Sequence, residues 1–362
     1  MRLRAAIVAT AAFGAITVLA APAVAAPAVG AAVAGQTTAP AGAAGCLRVQ
    51  TLTFTRAQDV AALHHWTPAR MKAAKGFSRA ALRKLARSQR PPTAARPASA
   101  TQCVPAAGLS RAVAATAPRP VTSTTASSGY PTVGKFTFDA DGVLSLNCTA
   151  TVISGTAATN NQELIVTAAH CIEGTTGGIP YTSTDLAFSP MWHDNKAPYG
   201  TWTVKKVFLN GGWMKCTIPL VDCSTNPLDD YAVIVLNPQN GKGVGDITGA
   251  DGWSVNQPDA VSNVTIAGIP GNSSDTLTSV ANTATVIESG NLYRKAATPG
   301  LTDGSSGGPW FQAFSTTTDR GVLLADTGGY EQGGPASGSP SYADYWTSNF
   351  SAVVKGAVSY EG

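Results

Sequence analysis

From Tyr130 onward, short runs of β-branched and apolar residues alternate with Gly, Asn, Asp and Pro. The runs Val133–Phe138, Cys148–Ile153, Leu164–Thr167, Trp202–Leu209, Ala232–Leu236, Val261–Ala267, Ala284–Glu288 and Val322–Ala325 each predict a strand. No long amphipathic pattern interrupts them, and only Asp344–Val354, near the C-terminus, reads as a helix. Many short strands at this spacing predict an all-β barrel or sandwich. The stretch is long enough for two small antiparallel β-barrels packed together around a sizeable core. No internal repeat is visible.

The pattern before Tyr130 is different. Arg2 and Arg4 precede an apolar run from Ala5 to Leu19, and Ala23-Val24-Ala25 has the small-x-small form of a cleavage site. Residues 1–25 therefore read as a secretory signal. The run is short for a membrane span, and no later segment approaches the ~20 apolar residues a span needs. Residues 27–45 are Ala-, Gly- and Pro-rich and read as disordered. Thr67-Pro68 opens a stretch of strong helix formers that runs to Ser88, and Arg90-Pro91-Pro92 ends it, so one helix is expected over residues 67–88. Residues 90–128 have linker composition. The expected division is a signal at 1–25, a basic, partly helical segment with a Pro-rich linker at 26–125, and a β-rich domain at 126–362.

Charge sharpens that division. Residues 1–125 hold 15 Lys and Arg against the single acid Asp59, a net of +14, whereas residues 126–362 hold 10 against 20 acids, a net of −10. The two sum to the +4 of the whole chain. A basic arm of this kind suits either a nucleic acid or an acidic partner domain. The arm lacks interleaved aromatics and adjoins an acidic domain, which favours the second. Six cysteines, an even number, suit an oxidising compartment. By position they fall into the pairs Cys46–Cys103, Cys148–Cys171 and Cys216–Cys223, and no close Cys-x-x-Cys or His spacing suggests zinc.

Candidate chemistry centres on Asp303-Gly304-Ser305-Ser306-Gly307-Gly308-Pro309-Trp310. Glycines flanking a serine let a tight turn expose one hydroxyl and aim backbone N–H groups at one point. A serine needs a base and an orienting acid. Of four histidines, His64 and His65 lie in the basic region and His193 lies among turn residues. His170 follows the buried run Leu164-Ile165-Val166-Thr167-Ala168-Ala169. Asp229-Asp230 stands directly before the apolar run Tyr231–Leu236. The order is His170, Asp230, Ser306, with spacings of 60 and 76 residues.

With these motifs in place the chain resembles the trypsin/chymotrypsin-like serine peptidases over about residues 130–355. TAAHC at 167–171 matches that family's histidine motif, DYAVIVL at 230–236 resembles its aspartate motif, and GSSGGP at 304–309 resembles its GDSGGP motif. The opening Tyr130-Pro131-Thr132-Val133-Gly134-Lys135 and the DYAV form look most similar to the bacterial branch that includes glutamyl endopeptidases. The resemblance implies two packed chymotrypsin-like barrels. It implies His170 as general base, Asp230 as its orienting partner, Ser306 as nucleophile, and the N–H groups of Gly304 and Ser306 as an oxyanion hole. It implies a specificity pocket at Gly300, Asp326, Thr327, Gly328 and Gly329. No metal or organic cofactor is expected, and the expected partners are protein or peptide substrates and the chain's own propeptide, residues 26–125. Nucleic acid and membrane are not expected partners, and the product is expected to be a secreted monomer. Three roles fit the propeptide: assisting folding, blocking the cleft, or keeping the enzyme soluble.

Two departures from the family stand out. It usually has Asp directly before the nucleophile, where this chain has Ser305, so the usual ion pair with a freed N-terminal amine cannot form. Glutamyl endopeptidases typically have His where Asp326 stands, and an ionised Asp there repels an acidic side chain, so a glutamate preference is expected to be lost. An α/β-hydrolase also places a serine in Gly-x-Ser-x-Gly, but its order is Ser, acid, His, and no histidine follows Ser306. The subtilisin order would need Asp139 or Asp141 as the acid. The remaining alternative is a secreted protein that keeps the trypsin fold as a binding module without activity.

Overall fold

Apolar residues at every position of a short run demand burial on both faces, which the middle strands of a closed barrel provide. The computed structural model describes residues 45–88, 95–105, 129–155, 163–176, 178–217, 222–271, 277–287, 293–298, 301–335, 337 and 339–361. In it, Val133–Ala140, Leu144–Val152, Leu164–Thr167, Ile179–Pro190, Trp202–Asn210 and Ala232–Leu236 form a closed six-stranded barrel. Ala232–Leu236 pairs with Leu164–Thr167 on one side and Trp202–Asn210 on the other, and all five of its residues are buried. Ile165 and Ile234 point into the barrel core, while Val166, Val233 and Val235 face a second apolar cluster with Phe350 and Val353 of the C-terminal helix.

A second sheet links Arg320–Asp326, Pro309–Ser315, Val261–Gly268, Thr278–Ile287, Tyr293–Ala296 and Ser341–Asp344 in that order. A bridge between Thr327 and Ala343 brings the last strand back beside the first. This is the expected chymotrypsin-like pair of β-barrels, with the short helix Ser348–Glu361 at the C-terminus. The helix begins later than the pattern suggests. Asp344 ends a strand paired to Tyr293, and the Thr347 hydroxyl accepts from the Asn349 N–H at the helix start. No helix among the described residues is long and apolar enough to cross a membrane.

The basic N-terminal region departs most from expectation. The stretch expected as one helix over 67–88 is two, Pro68–Ala73 and Arg79–Ser88, separated by the strand Lys75–Gly76. Helix propensity is overridden because Lys75–Gly76 pairs in parallel with Leu146–Asn147 of the first barrel. The expected linker is also partly structured. Ala98–Pro105 is a strand, paired over its whole length with Cys46–Thr53, which in turn pairs with Lys206–Asn210. Ladder hydrogen bonds and the cross-strand disulfide Cys46–Cys103 hold this largely exposed strand where its side chains alone would not. The signal segment, residues 27–44 and residues 106–128, which include the expected boundary, lie outside the described residues.

Polar contacts join the basic region to the acidic domain. His65 Nε2 lies 3.1 Å from Asp139, Arg96 pairs with Asp141 at 3.2 Å, and Gln50 Nε2 donates to Glu173 at 2.8 Å. Two further disulfides, Cys148–Cys171 and Cys216–Cys223, lie within the β-rich domain.

Candidate active site

His170 sits in a single 3-10 turn, Ala169–Cys171, at the end of Leu164–Thr167. The small residues Ala168 and Ala169 let the turn close tightly, and Cys171 ties it to Cys148 on the neighbouring strand. Asp230 follows the Pro227–Asp229 turn, at the mouth of Ala232–Leu236. Antiparallel pairing of Ala232 with Thr167 brings the two strand ends together. Asp230 Oδ1 accepts from the His170 backbone N–H at 2.8 Å, and Oδ2 lies 2.7 Å from His170 Nδ1. Gly329 N–H also donates to Oδ2, at 2.7 Å. Three donors therefore surround a fully buried carboxylate. Neighbouring Asp229 faces away, accepting from Asn210 and Asn226, and burial pushes its carboxyl up to about 6. Tyr181 donates its hydroxyl to the His170 carbonyl at 2.7 Å, and burial, reinforced by Asp230, keeps its phenol from ionising.

The Ser306 turn abuts this pair. Gly307 lies at φ +78°, and a Cβ there would stand 2.1 Å from Thr167 Oγ1, so only glycine lets the turn reach the His170 strand. Ser305, which replaces the family's Asp, is buried and its hydroxyl has no hydrogen-bond partner among the described residues. A set of hydrogen bonds holds the loop instead. Gly271 N–H donates to the Asp303 carbonyl at 2.8 Å, Thr149 N–H to the Ser306 carbonyl at 2.7 Å, and Gly307 N–H to the Thr327 carbonyl at 2.7 Å. Thr149 Oγ1 bridges two segments, donating to the Gly304 carbonyl at 3.0 Å and accepting from the Ile269 N–H at 2.8 Å. Its position, directly after Cys148, was the only sequence signal for this role. Among the described residues, nothing accepts from the Gly304 or Ser306 N–H, and His170 Nε2 is buried without a partner.

Of the residues expected to shape the specificity pocket, Thr327 borders a cavity of about 330 Å³ beside Ser306. Gly328 and Gly329 pack on Asp230, and Gly300 lies outside the described residues. Asp326 does not line the cavity. Its carboxyl is fully buried and accepts from Trp346 Nε1 at 3.1 Å, with the equally buried carboxyl of Asp344 close by. Burial, then the charge of Asp230, holds Asp326 well above the usual carboxylate range, and burial with Asp326 beside it does the same to Asp344. The premise of an ionised Asp326 facing the substrate therefore does not hold. Glu331 and Gln332, both left-handed at φ +52° and +54°, border the cavity and were not foreseen. The sulfurs of Cys148 and Cys171 lie near His170 but are joined to each other, which leaves no thiolate for a metal.

The architecture is that of the chymotrypsin-like serine proteases. Among solved structures, the chain is similar to the protease Anisep from Arthrobacter nicotinovorans, with 24% identity and a TM-score of 0.53, covering 64% of this chain and 97% of that one. It is also similar to the thermostable serine protease AL20 from an extremophilic microorganism, with 20% identity and a TM-score of 0.50, covering 64% and 99%. No protein-family model and no curated protein sequence matches the chain.

Proposed function

We propose that the protein is a secreted serine endopeptidase made with a basic propeptide, residues 26–125. The observation that carries this reading is the engagement of both Asp230 oxygens by His170, beside a glycine-built turn presenting Ser306. Ser306 Oγ attacks the peptide carbonyl while His170 Nε2 takes its proton. Asp230 holds the Nδ1–H tautomer and offsets the imidazolium charge. In this reading the N–H groups of Gly304 and Ser306 receive the oxyanion, a contribution worth ~2.7–4 kcal/mol per donor. The amine leaves with the proton from His170, and water then hydrolyses the acyl-enzyme.

The test is phosphonylation of the processed protein by an active-site serine reagent. Modification should fall on Ser306 and vanish in Ser306→Ala and His170→Ala. A folded, processed protein that is not modified at Ser306 would instead favour the binding-module reading, which the ring of Phe77 against His170 also suits. A peptide library reads the cleavage preference, for which no glutamate preference is expected. Although Asp326 is not ionised toward the cavity, no basic group replaces it among the residues lining that space other than Arg83, which belongs to the N-terminal segment.

A further inference from the structure

The polypeptide that crosses the candidate active site belongs to the chain itself. Lys75–Gly76 adds to the barrel strand beside Cys148, and Phe77 N–H donates to the Asn147 carbonyl at 2.8 Å. The Phe77 ring lies on His170, with centroids 4.5 Å apart, and it also meets Phe138 and Tyr181 at 6.3 and 6.4 Å. Phe77 is 3% exposed, so this is a filled apolar pocket and not a surface contact. Gly76 makes the approach possible. A Cβ there would stand 2.2 Å from the Asp303 carbonyl oxygen, and one on Gly271 would stand 2.0 Å from Gly76 N. The backbone thus threads a slot between the nucleophile loop and Gly271 that admits no side chain.

We propose that residues 75–78 are a resident inhibitor, in which Phe77 fills an aromatic-binding pocket beside His170 and Gly76 seats the backbone against the Asp303–Gly304 loop. The segment denies substrate the space next to His170. It is not placed for cleavage, because none of its carbonyls accepts from the Gly304 or Ser306 N–H. It is tethered at both ends to the antiparallel pair of Cys46–Thr53 and Ala98–Pro105, which keeps its effective concentration high and the open form a minor one. The same pocket then selects a short peptide with an aromatic residue preceded by glycine as a ligand in trans. This inference rests on Ser306 being the nucleophile proposed above.

The test uses the full secreted chain with its N-terminal region intact. Phosphonylation of Ser306 is timed in the unaltered protein, in Phe77→Ala and in Gly76→Ala, with folding checked by circular dichroism. Each variant should react at least about tenfold faster than the unaltered chain, as expected when a minor open state becomes dominant. Adding His170→Ala to Phe77→Ala should abolish the reaction. An unaltered chain that reacts as fast as both variants overturns the resident inhibitor and leaves the serine-nucleophile reading standing. No reaction in any of the three folded proteins overturns the serine-nucleophile reading, and the inhibitor with it. A peptide spanning residues 71–83 gives a measurement that needs no altered fold. It should slow labelling of an opened variant, and the same peptide carrying Phe77→Ala should not; equal effects of the two peptides would also overturn the proposal.

Discussion

Two regions on either side of Gly328 bury carboxyl groups completely, and they treat them in opposite ways. Asp230 is fully buried, and three N–H groups point at it, from His170 N, His170 Nδ1 and Gly329 N. Asp326 and Asp344 are equally buried, but among the described residues the only side-chain donor to either is Trp346 Nε1. Burial, with each carboxyl beside the other, holds both groups well above the usual range. Burial alone raises a carboxyl, whereas each directed donor stabilises the ionised form that desolvation disfavours. The molecule gives three such donors to the carboxyl beside His170 and one to the pair behind it.

The largest effect should come from breaking the first environment. In Asp230→Asn the amide nitrogen cannot accept; standing where Oδ2 does, it leaves the Gly329 N–H without its partner and, by donating to His170 Nδ1, pushes the imidazole toward the tautomer with the proton on Nε2. That tautomer cannot take a proton from Ser306. Hydrolysis by the processed protein should fall about 10⁴-fold. A fall of less than tenfold would show that the donors around Asp230 do not set the base.

Next in size is the second environment, tested by Asp344→Asn. A carboxyl whose folded pKa lies above its unfolded value keeps a proton that the unfolded chain releases, so stability declines as pH rises above about 4. Replacing Asp344 removes one of the two neighbouring carboxyls and supplies a neutral donor to Asp326. Urea melts from pH 4 to 9 should show a shallower decline for the variant. An unchanged slope would mean that the pair is not protonated in the native state.

Glu173 gives a third and smaller case, intermediate between the two. It is buried near His170 and accepts one donor, Gln50 Nε2, and burial lifts it to about 7 despite that bond and the charge of Arg96. Between pH 4.5 and 7 the unfolded chain loses a proton that the native chain retains, so the native state is progressively disfavoured across that window. Glu173→Gln preserves a partner for Gln50 and should be more stable than the parent at pH 8 by up to ~3 kcal/mol, with little difference at pH 4. Chemical denaturation at the two pH values measures this directly.

The asymmetry in legibility follows the same physics. His170, Asp230 and Ser306 stand in short local motifs, so their neighbours in sequence are their neighbours in space. The strands around them are runs such as Ala232–Leu236, buried throughout and therefore apolar throughout. The state of Asp326 was not legible, because Trp346 and Asp344 reach it from a different part of the chain. Thr149 was missed for the same reason, since its partners Gly304 and Ile269 are more than 100 residues away. The strand Ala98–Pro105 exposes most of its side chains and carries no alternating pattern to read. Phe77 lies in a run of helix formers, and only docking on His170 reveals why the helix breaks there.

The smallest perturbation is the most discriminating, because its size reports the charge of Asp326. Trp346 donates to Asp326 Oδ1 at 3.1 Å while its ring stacks on Phe350, with centroids 3.7 Å apart and planes within 8°. Trp346→Phe keeps an aromatic ring in that stack and deletes the N–H. If Asp326 is a neutral acid, the lost bond is an ordinary one, worth about 0.5–1.5 kcal/mol, and its cost is the same at pH 5 and pH 8. If Asp326 is ionised at pH 8, the bond is charge-assisted and its loss costs about 1.5–3 kcal/mol there. Denaturation of the parent and the variant at both pH values separates the two cases. A cost near 1 kcal/mol that does not change with pH supports the contrast between the carboxyl at Asp230 and the pair behind it, and a cost that grows as pH rises defeats it.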